Sequence, residues 1–324
     1  MQETKIYYPG LDLLKFLMSI LIVAGHSQLF IENELLYNII YPLRTIIIPT
    51  FFAISSFLFF SRIYNSLNNE HEIYIRTIKR IGTIFCIWYI ISLPMTYYNF
   101  LSIANFKEIM YAIVFSCTCS GYWFLKSLLI NTIILYHYRK AINWISFISL
   151  IIFIFWSYNY EYSFININFS PYYSFYYNTI FFAIGVLLYS NKKAIFLFKA
   201  PASILVVITI FIYLLSYNTK FDPICRIINP FILIPLFCKL NINKTSIFKK
   251  LRQLSIMLYV THFMLIWIYN NFCNHYLNHT SDIYQILQYS VTRFIVVLSI
   301  ALGLSLLILK LEKKPTFSFL NKLH

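Results

Sequence analysis

The sequence predicts an all-α integral membrane protein: residues 1–324 form a single bundle of about ten transmembrane helices with both termini cytoplasmic. Three observations predict it. Hydrophobic residues make up 60% of the chain and charged residues 11%, far from the roughly half and a quarter of soluble domains, and mean hydropathy is +0.68. Apolar runs long enough to cross a bilayer recur along the whole chain. Lys and Arg collect in alternate gaps between those runs.

The first run, residues 11–30, is apolar except for Asp12, Lys15, Ser19 and His26. It lacks a small-x-small cleavage site, and its apolar core holds two charges, so it reads as retained and not as a signal peptide. The second, 41–61, follows the acidic stretch Glu32-Asn33-Glu34, and the third, 79–100, follows a basic segment. Runs at 122–138 and 142–158 flank Arg139 and Lys140. Those at 174–190, 201–217, 223–238, 254–272 and 287–310 complete the ten, while a run at 106–118 is short enough to lie at the interface. With the N-terminus inside, the cytoplasmic segments hold nineteen Lys and Arg and the outer loops only Lys107 and Lys220. Dropping or adding one span would invert every later loop and scramble that bias.

The formal net charge of +15 does not imply nucleic acid, because the cations fall in short clusters between apolar runs and do not gather on one solvated face. The bilayer is the partner that this pattern fits. The six cysteines form neither a metal-ligand spacing nor a disulfide framework. His275 and His279 stand at i, i+4 without a clear third ligand, so no metal is expected. No nucleophile-elbow, phosphate-loop or dinucleotide signature is present. No linker marks a second domain.

Five basic residues, Lys15, Arg44, Lys126, Arg226 and Arg293, fall within or at the edge of spans, where an unpaired charge costs about 3 kcal/mol or more. Lys126 and Arg226 lie where snorkelling to headgroups accounts for them. Arg293, one turn inside the outer end, either snorkels or serves an outer cavity. Arg44 either faces an acceptor or pairs with Glu32 or Glu34.

The first span carries the most specific pattern. At 100° per residue, Asp12, Lys15, Ser19 and His26 fall within about 60° on one side of a helix. Lys15 and His26 are about 16 Å apart along the axis, a polar stripe reaching from the cytoplasmic side toward the outer half. Asp12 either pairs with Lys15 or completes a relay. Taken alone, the stripe is equally an ion pair plus a core histidine.

Lys15, ten intervening residues and His26, preceded by "LDLLKFL", resemble the start of the membrane acyltransferase 3 family, integral enzymes that acylate surface polysaccharides and related acceptors. "IIIPTFFAISSFLFF" (46–60) resembles that family's second helix and "YIRTIKRIGTIFCIW" (74–88) its basic start of helix 3. "GYWFLKSLL" (121–129) is similar to its Trp-Phe-Leu helix start, "TIFFAIGVLLYS" (179–190) to its Phe-Phe-x-x-Gly helix and "IMLYVTHFMLI" (256–266) to its late Tyr-x-x-His motif. The chain departs from the family pattern with Lys15 for arginine, Ser55-Ser56 for Ser-Gly, and a displaced basic group at Arg76, Lys79 and Arg80.

The resemblance implies an acetyl-CoA-dependent O-acetyltransferase of the bacterial inner membrane, acting on a saccharide of O-antigen or capsule type or its lipid-linked precursor. The polyanionic head of acetyl-CoA requires cations on the cytoplasmic side, which makes Lys15, Arg76, Lys79 and Arg80 its candidate ligands. His26 and Asp12 are the catalytic candidates, His26 as general base on the acceptor hydroxyl or as acyl carrier and Asp12 as the residue that orients Lys15 or completes a relay. Arg44, Trp123 and Arg293 are the candidate acceptor contacts, Trp123 reading also as an interfacial belt residue. His262 reads as a lone core histidine, and Ser55 and Ser56 as residues that let helices approach. A flippase that uses the stripe as a substrate path is the alternative.

Overall fold

The computed structural model describes residues 7–66, 69–114, 122–158, 174–192, 195–217, 220–240, 246–277, 281–314 and 324. Among them the chain forms helices and no strand. These are α1 (Pro9–His26), α2 (Glu34–Asn65), α3 (Glu70–Ile91), α4 (Leu93–Thr96), α5 (Phe106–Val114), α6 (Trp123–His137), α7 (Ile142–Tyr158), α8 (Phe175–Ser190), α9 (Ala202–Leu215), α10 (Asp222–Cys238), α11 (Ser246–Tyr276), α12 (Asp282–Gln288) and α13 (Ser290–Leu311).

Each of the ten apolar runs falls on helix, but not all are equally long. Five helices are long and apolar enough to cross a membrane: α1, α2, Arg139–Tyr158 around α7, α11 and α13. A sixth is obtained if α3 and the segment to Asn99 are one span bent by 63°. The other four runs form helices of 14 to 17 residues. The third run therefore differs from the straight span expected at 79–100. Its helix starts at Glu70 and stops at Ile91, and the chain turns at Ser92 (φ −89°, ψ 0°) two residues before Pro94. Proline withholds an N–H from the helical ladder and crowds the residue ahead of it, so helices tend to end there.

The chain divides into two compact units. The first comprises Met1–Leu11 and Ile48–Ile242. Within it, α2 and α8 are in backbone contact: a Cβ on Gly185 would stand 1.9 Å from Ser56 Oγ and 2.1 Å from Ala53 O. The Ser56 hydroxyl donates across that seam to Phe182 O at 2.6 Å, so Ser56 has the close-packing role that small residues take in membrane helices. Phe153 of α7 packs on Tyr177 and Phe181 of α8 at 4.8 and 5.1 Å. Buried Asn131 of α6 accepts from Thr179 Oγ1 of α8 at 2.8 Å, satisfying a polar group that would be costly if left unbonded.

The second unit comprises Asp12–Ile47 and Asn243–His324. Its core is Val23 of α1, Leu258 and Leu265 of α11, and Val297 and Ala301 of α13, all nine-tenths or more buried. Two contacts set the direction of α11 against α1: Ser255 Oγ donates to Lys15 O at 3.1 Å, and further along both helices His262 meets His26 with ring centroids 5.2 Å apart. The helices run the same way. The first residue of α13, Ser290, meets the loop just beyond the end of α1, so α13 runs opposite to α1.

Candidate active site

α1 ends at His26. The next turn is tight: Leu29 N–H reaches back to Ala24 O at 3.0 Å, and Gln28 and Phe30 take φ of 54° and 64°. Neither is glycine, and the left-handed region costs each about 1–2 kcal/mol. Such strain persists only where surroundings impose it. Here they do: the Ser290 hydroxyl accepts Phe30 N–H at 2.9 Å and donates to Glu32 Oε2, while Ser290 N–H donates to Glu32 Oε1 at 2.7 Å. Burial pushes the Glu32 carboxyl up, but the hydrogen bonds from Ser290, helped by the nearby Arg293 charge, outweigh it and hold the carboxyl below its usual range. Asn33 Oδ1 then accepts Leu36 N–H at 3.1 Å and starts α2.

His26, expected to lie buried within its span, is instead exposed at the end of the helix. Its ring stands 5.1 Å from Phe263 edge to face, and 5.2 Å from His262 with planes inclined at 35°. His262 is 1% exposed. Its Nδ1 lies 3.1 Å from Leu258 O, a carbonyl that can only accept, so Nδ1 carries the proton and Nε2 is a bare acceptor. Nε2 is buried with no hydrogen-bond partner among the described residues. His262 is therefore not the lone core histidine that its apolar setting suggests. The pointer to it in the sequence is the Tyr-x-x-His spacing, with Tyr259 one turn earlier and its ring 5.9 Å from that of His262.

The other predicted residues divide. Lys15 is half-buried, and its carbonyl accepts the Ser255 hydroxyl. Asp12 is buried at 2% exposure in the first turn of α1, where the helix dipole favours an anion. It makes no ion pair with Lys15, contrary to expectation, and its Oδ2 has no hydrogen-bond partner among the described residues. It also stands about 21 Å along the axis from His26, too far for a direct relay to that ring. Arg76, Lys79 and Arg80 lie on an exposed face of α3, well inside the helix and not at its start, and Arg76 pairs with Glu72.

Trp123 is 8% exposed and packs on Phe52 and Phe124 at 6.4 and 6.3 Å, so it is a core residue and not a belt tryptophan. Arg226 does not need to snorkel, since Asp222 pairs with it at 2.7 Å. Lys126 donates to Ile113 O. Arg293 is half-buried and donates to Gln288 O at 3.3 Å. Arg44 lies in α2, but its side chain is outside the described residues, as is His279. Among the described residues no three His, Cys, Asp or Glu groups converge as a metal site would require.

Helices without a strand among the described residues, several of them long and apolar enough to cross a membrane, define a class, a multi-pass membrane protein. The chain belongs to the acyltransferase 3 family, whose model, described as an acyltransferase domain, matches residues 8–310. It is a membrane acyltransferase. No curated protein and no solved structure matches it.

Proposed function

We propose that the protein is a membrane O-acetyltransferase, a single catalytic domain that moves acetyl from cytoplasmic acetyl-CoA to a hydroxyl of a cell-surface saccharide or its lipid-linked precursor at a bacterial inner membrane. The observation that carries this reading is His26, exposed at the end of α1 and set beside a second, buried imidazole. His26 acts as general base. It takes the acceptor hydroxyl proton while the oxygen bonds to the thioester carbonyl carbon. The C–S bond then breaks and the CoA thiolate takes up that proton.

Lys15, Arg76, Lys79 and Arg80 are the proposed ligands of the CoA phosphates. The exposed Glu72–Arg76 pair is worth only about 0.3–0.5 kcal/mol, so a phosphate competes for Arg76 easily. Arg44 and Arg293 are the proposed acceptor contacts, and Asp12 is a charged element of the start of α1 with no part in the proton transfer.

Ten spans with both termini cytoplasmic remain the proposed topology. Helices of 14 to 17 residues reach about 21 to 26 Å, somewhat under the ~30 Å hydrocarbon layer, a mismatch that thinning and tilt of neighbours absorb. Parity supports an even number. The loop after α1 and the start of α13 meet at Ser290, so an even number of crossings separates them, which six or ten spans satisfy and five do not.

The test uses the full chain in proteoliposomes, reading thiol release from acetyl-CoA with a panel of methyl glycosides as hydroxyl acceptors. His26→Ala should lower turnover by on the order of 10³-fold while equilibrium binding of acetyl-CoA persists. A native protein that binds no CoA ester would overturn the reading in favour of an exporter.

A further inference from the structure

We propose that His262 is the positioning residue of the His26 base, accepting an N–H of the His26 ring on its Nε2 and thereby fixing which His26 nitrogen faces the acceptor hydroxyl. The inference rests on the acetyltransferase reading above. It starts from the hydrogen bond of His262 Nδ1 to Leu258 O at 3.1 Å. A ring tied this way to an intrahelical carbonyl cannot turn over without breaking that bond, so its Nε2 presents a lone pair permanently. That atom is fully buried with no partner among the described residues. A buried acceptor left unbonded costs about 1–3 kcal/mol, a cost that a donor reaching it would remove.

The imidazole of His26 lies at the right distance to be that donor. Two imidazoles joined by an N–H···N bond of about 2.9 Å have centroids about 5 Å apart, and these are 5.2 Å apart. The planes are inclined at 35°, and in the proposed arrangement a ring N–H of His26 is turned toward His262 Nε2. Phe263 stands edge to face with both rings, at 5.1 and 5.9 Å, and walls the pair on one side. With one nitrogen donating to His262, the other is left unprotonated, which is the state a base needs before it takes the hydroxyl proton. When that proton arrives, the His26 cation already has an oriented acceptor on its far side. One proton moves, from the acceptor oxygen to the free His26 nitrogen, while the N–H that faces His262 stays on His26, and no other reactant is called for.

Two substitutions separate positioning from packing. His262→Asn places an amide NH2 where Nδ1 stood and keeps the bond to Leu258 O, but nothing reaches the Nε2 position. His262→Gln places an amide oxygen at that position. In proteoliposomes reading thiol release from acetyl-CoA, His262→Asn should lower turnover by on the order of 10²-fold, the scale of a misplaced catalytic group, with acetyl-CoA binding unchanged. His262→Gln should recover most of that loss. Native turnover in a folded His262→Asn protein would overturn the proposal. So would equal losses in the two variants that track their losses of thermal stability. A native protein that binds no acetyl-CoA and shows no turnover would defeat the acetyltransferase reading itself, full turnover in His26→Ala would defeat the role of His26 as base, and an inactive His26→Ala beside a fully active His262→Asn would defeat only the role given to His262.

Discussion

Ser290 makes three hydrogen bonds with one hydroxyl and one N–H, one of them to left-handed Phe30 and two to Glu32 in the turn that follows His26. Ser290→Ala keeps the helix start but strands Phe30 N–H and removes a donor from Glu32. A stability loss of about 1–3 kcal/mol follows, visible as a lower unfolding temperature in detergent. Acid should narrow that gap. The folded Glu32 carboxyl titrates below its ordinary 4.5, so its stabilisation is complete above the unfolded value and is lost as pH falls through the lower folded value. Melting curves of the native and Ser290→Ala proteins should converge between about pH 6 and pH 3; a gap that widened in acid would refute this assignment. The histidine pair belongs to the same scale. His26 is legible in the sequence because a charged stripe interrupts an apolar run, whereas His262 sits on an apolar face 236 residues later in the chain, and only folding brings the two rings together.

Helices are the part of this protein that the sequence states most directly, since apolar length and helical bonding are obligatory together in lipid. All ten apolar runs are helical. Their ends are less legible: α3 starts nine residues before its apolar run, because Glu70 to Lys79 can extend a helix without being able to enter hydrocarbon, and it stops at Ser92 ahead of Pro94. The belt reading of Trp123 fails for a related reason, since a tryptophan at a helix start looks the same in sequence whether it faces headgroups or, as here, packs on Phe52. The α2–α8 seam offers a sharp element-level test. Gly185→Leu must push apart backbones that already meet at Ala53 O and Ser56, and overpacking of this kind costs about 1–3 kcal/mol or more. The variant should elute as aggregate or melt well below the native protein, while Gly82→Leu, at a position with nothing within 4 Å, should behave as the native protein does.

For the whole molecule, the distribution of charge and the parity of the helices lead to the same expectation. Reporter fusions after residues 65, 140, 192, 244 and 314 should read cytoplasmic, and fusions in the gaps at 31–33, 102–105, 159–173, 218–220 and 278–281 should read external. A single inverted reading at 192 or 244 would break the ten-span topology, because α8, α9 and α10 are the helices of 14 to 17 residues that bracket those two points. The division into two compact units could not be read from the sequence. It assigns Asp12–Ile47 and Asn243–His324 to one unit, and no change of composition marks either boundary.

The turn after α1 also orders events during synthesis. α1 leaves the ribosome among the first segments, yet the hydroxyl that clamps its trailing turn lies 260 positions later. Until the final span has been inserted, the bonds of Ser290 to Phe30 and Glu32 are missing from this strained turn. A nascent chain halted before Ser290 therefore enters the membrane with this turn unclamped, and the turn is set only when the last helix docks.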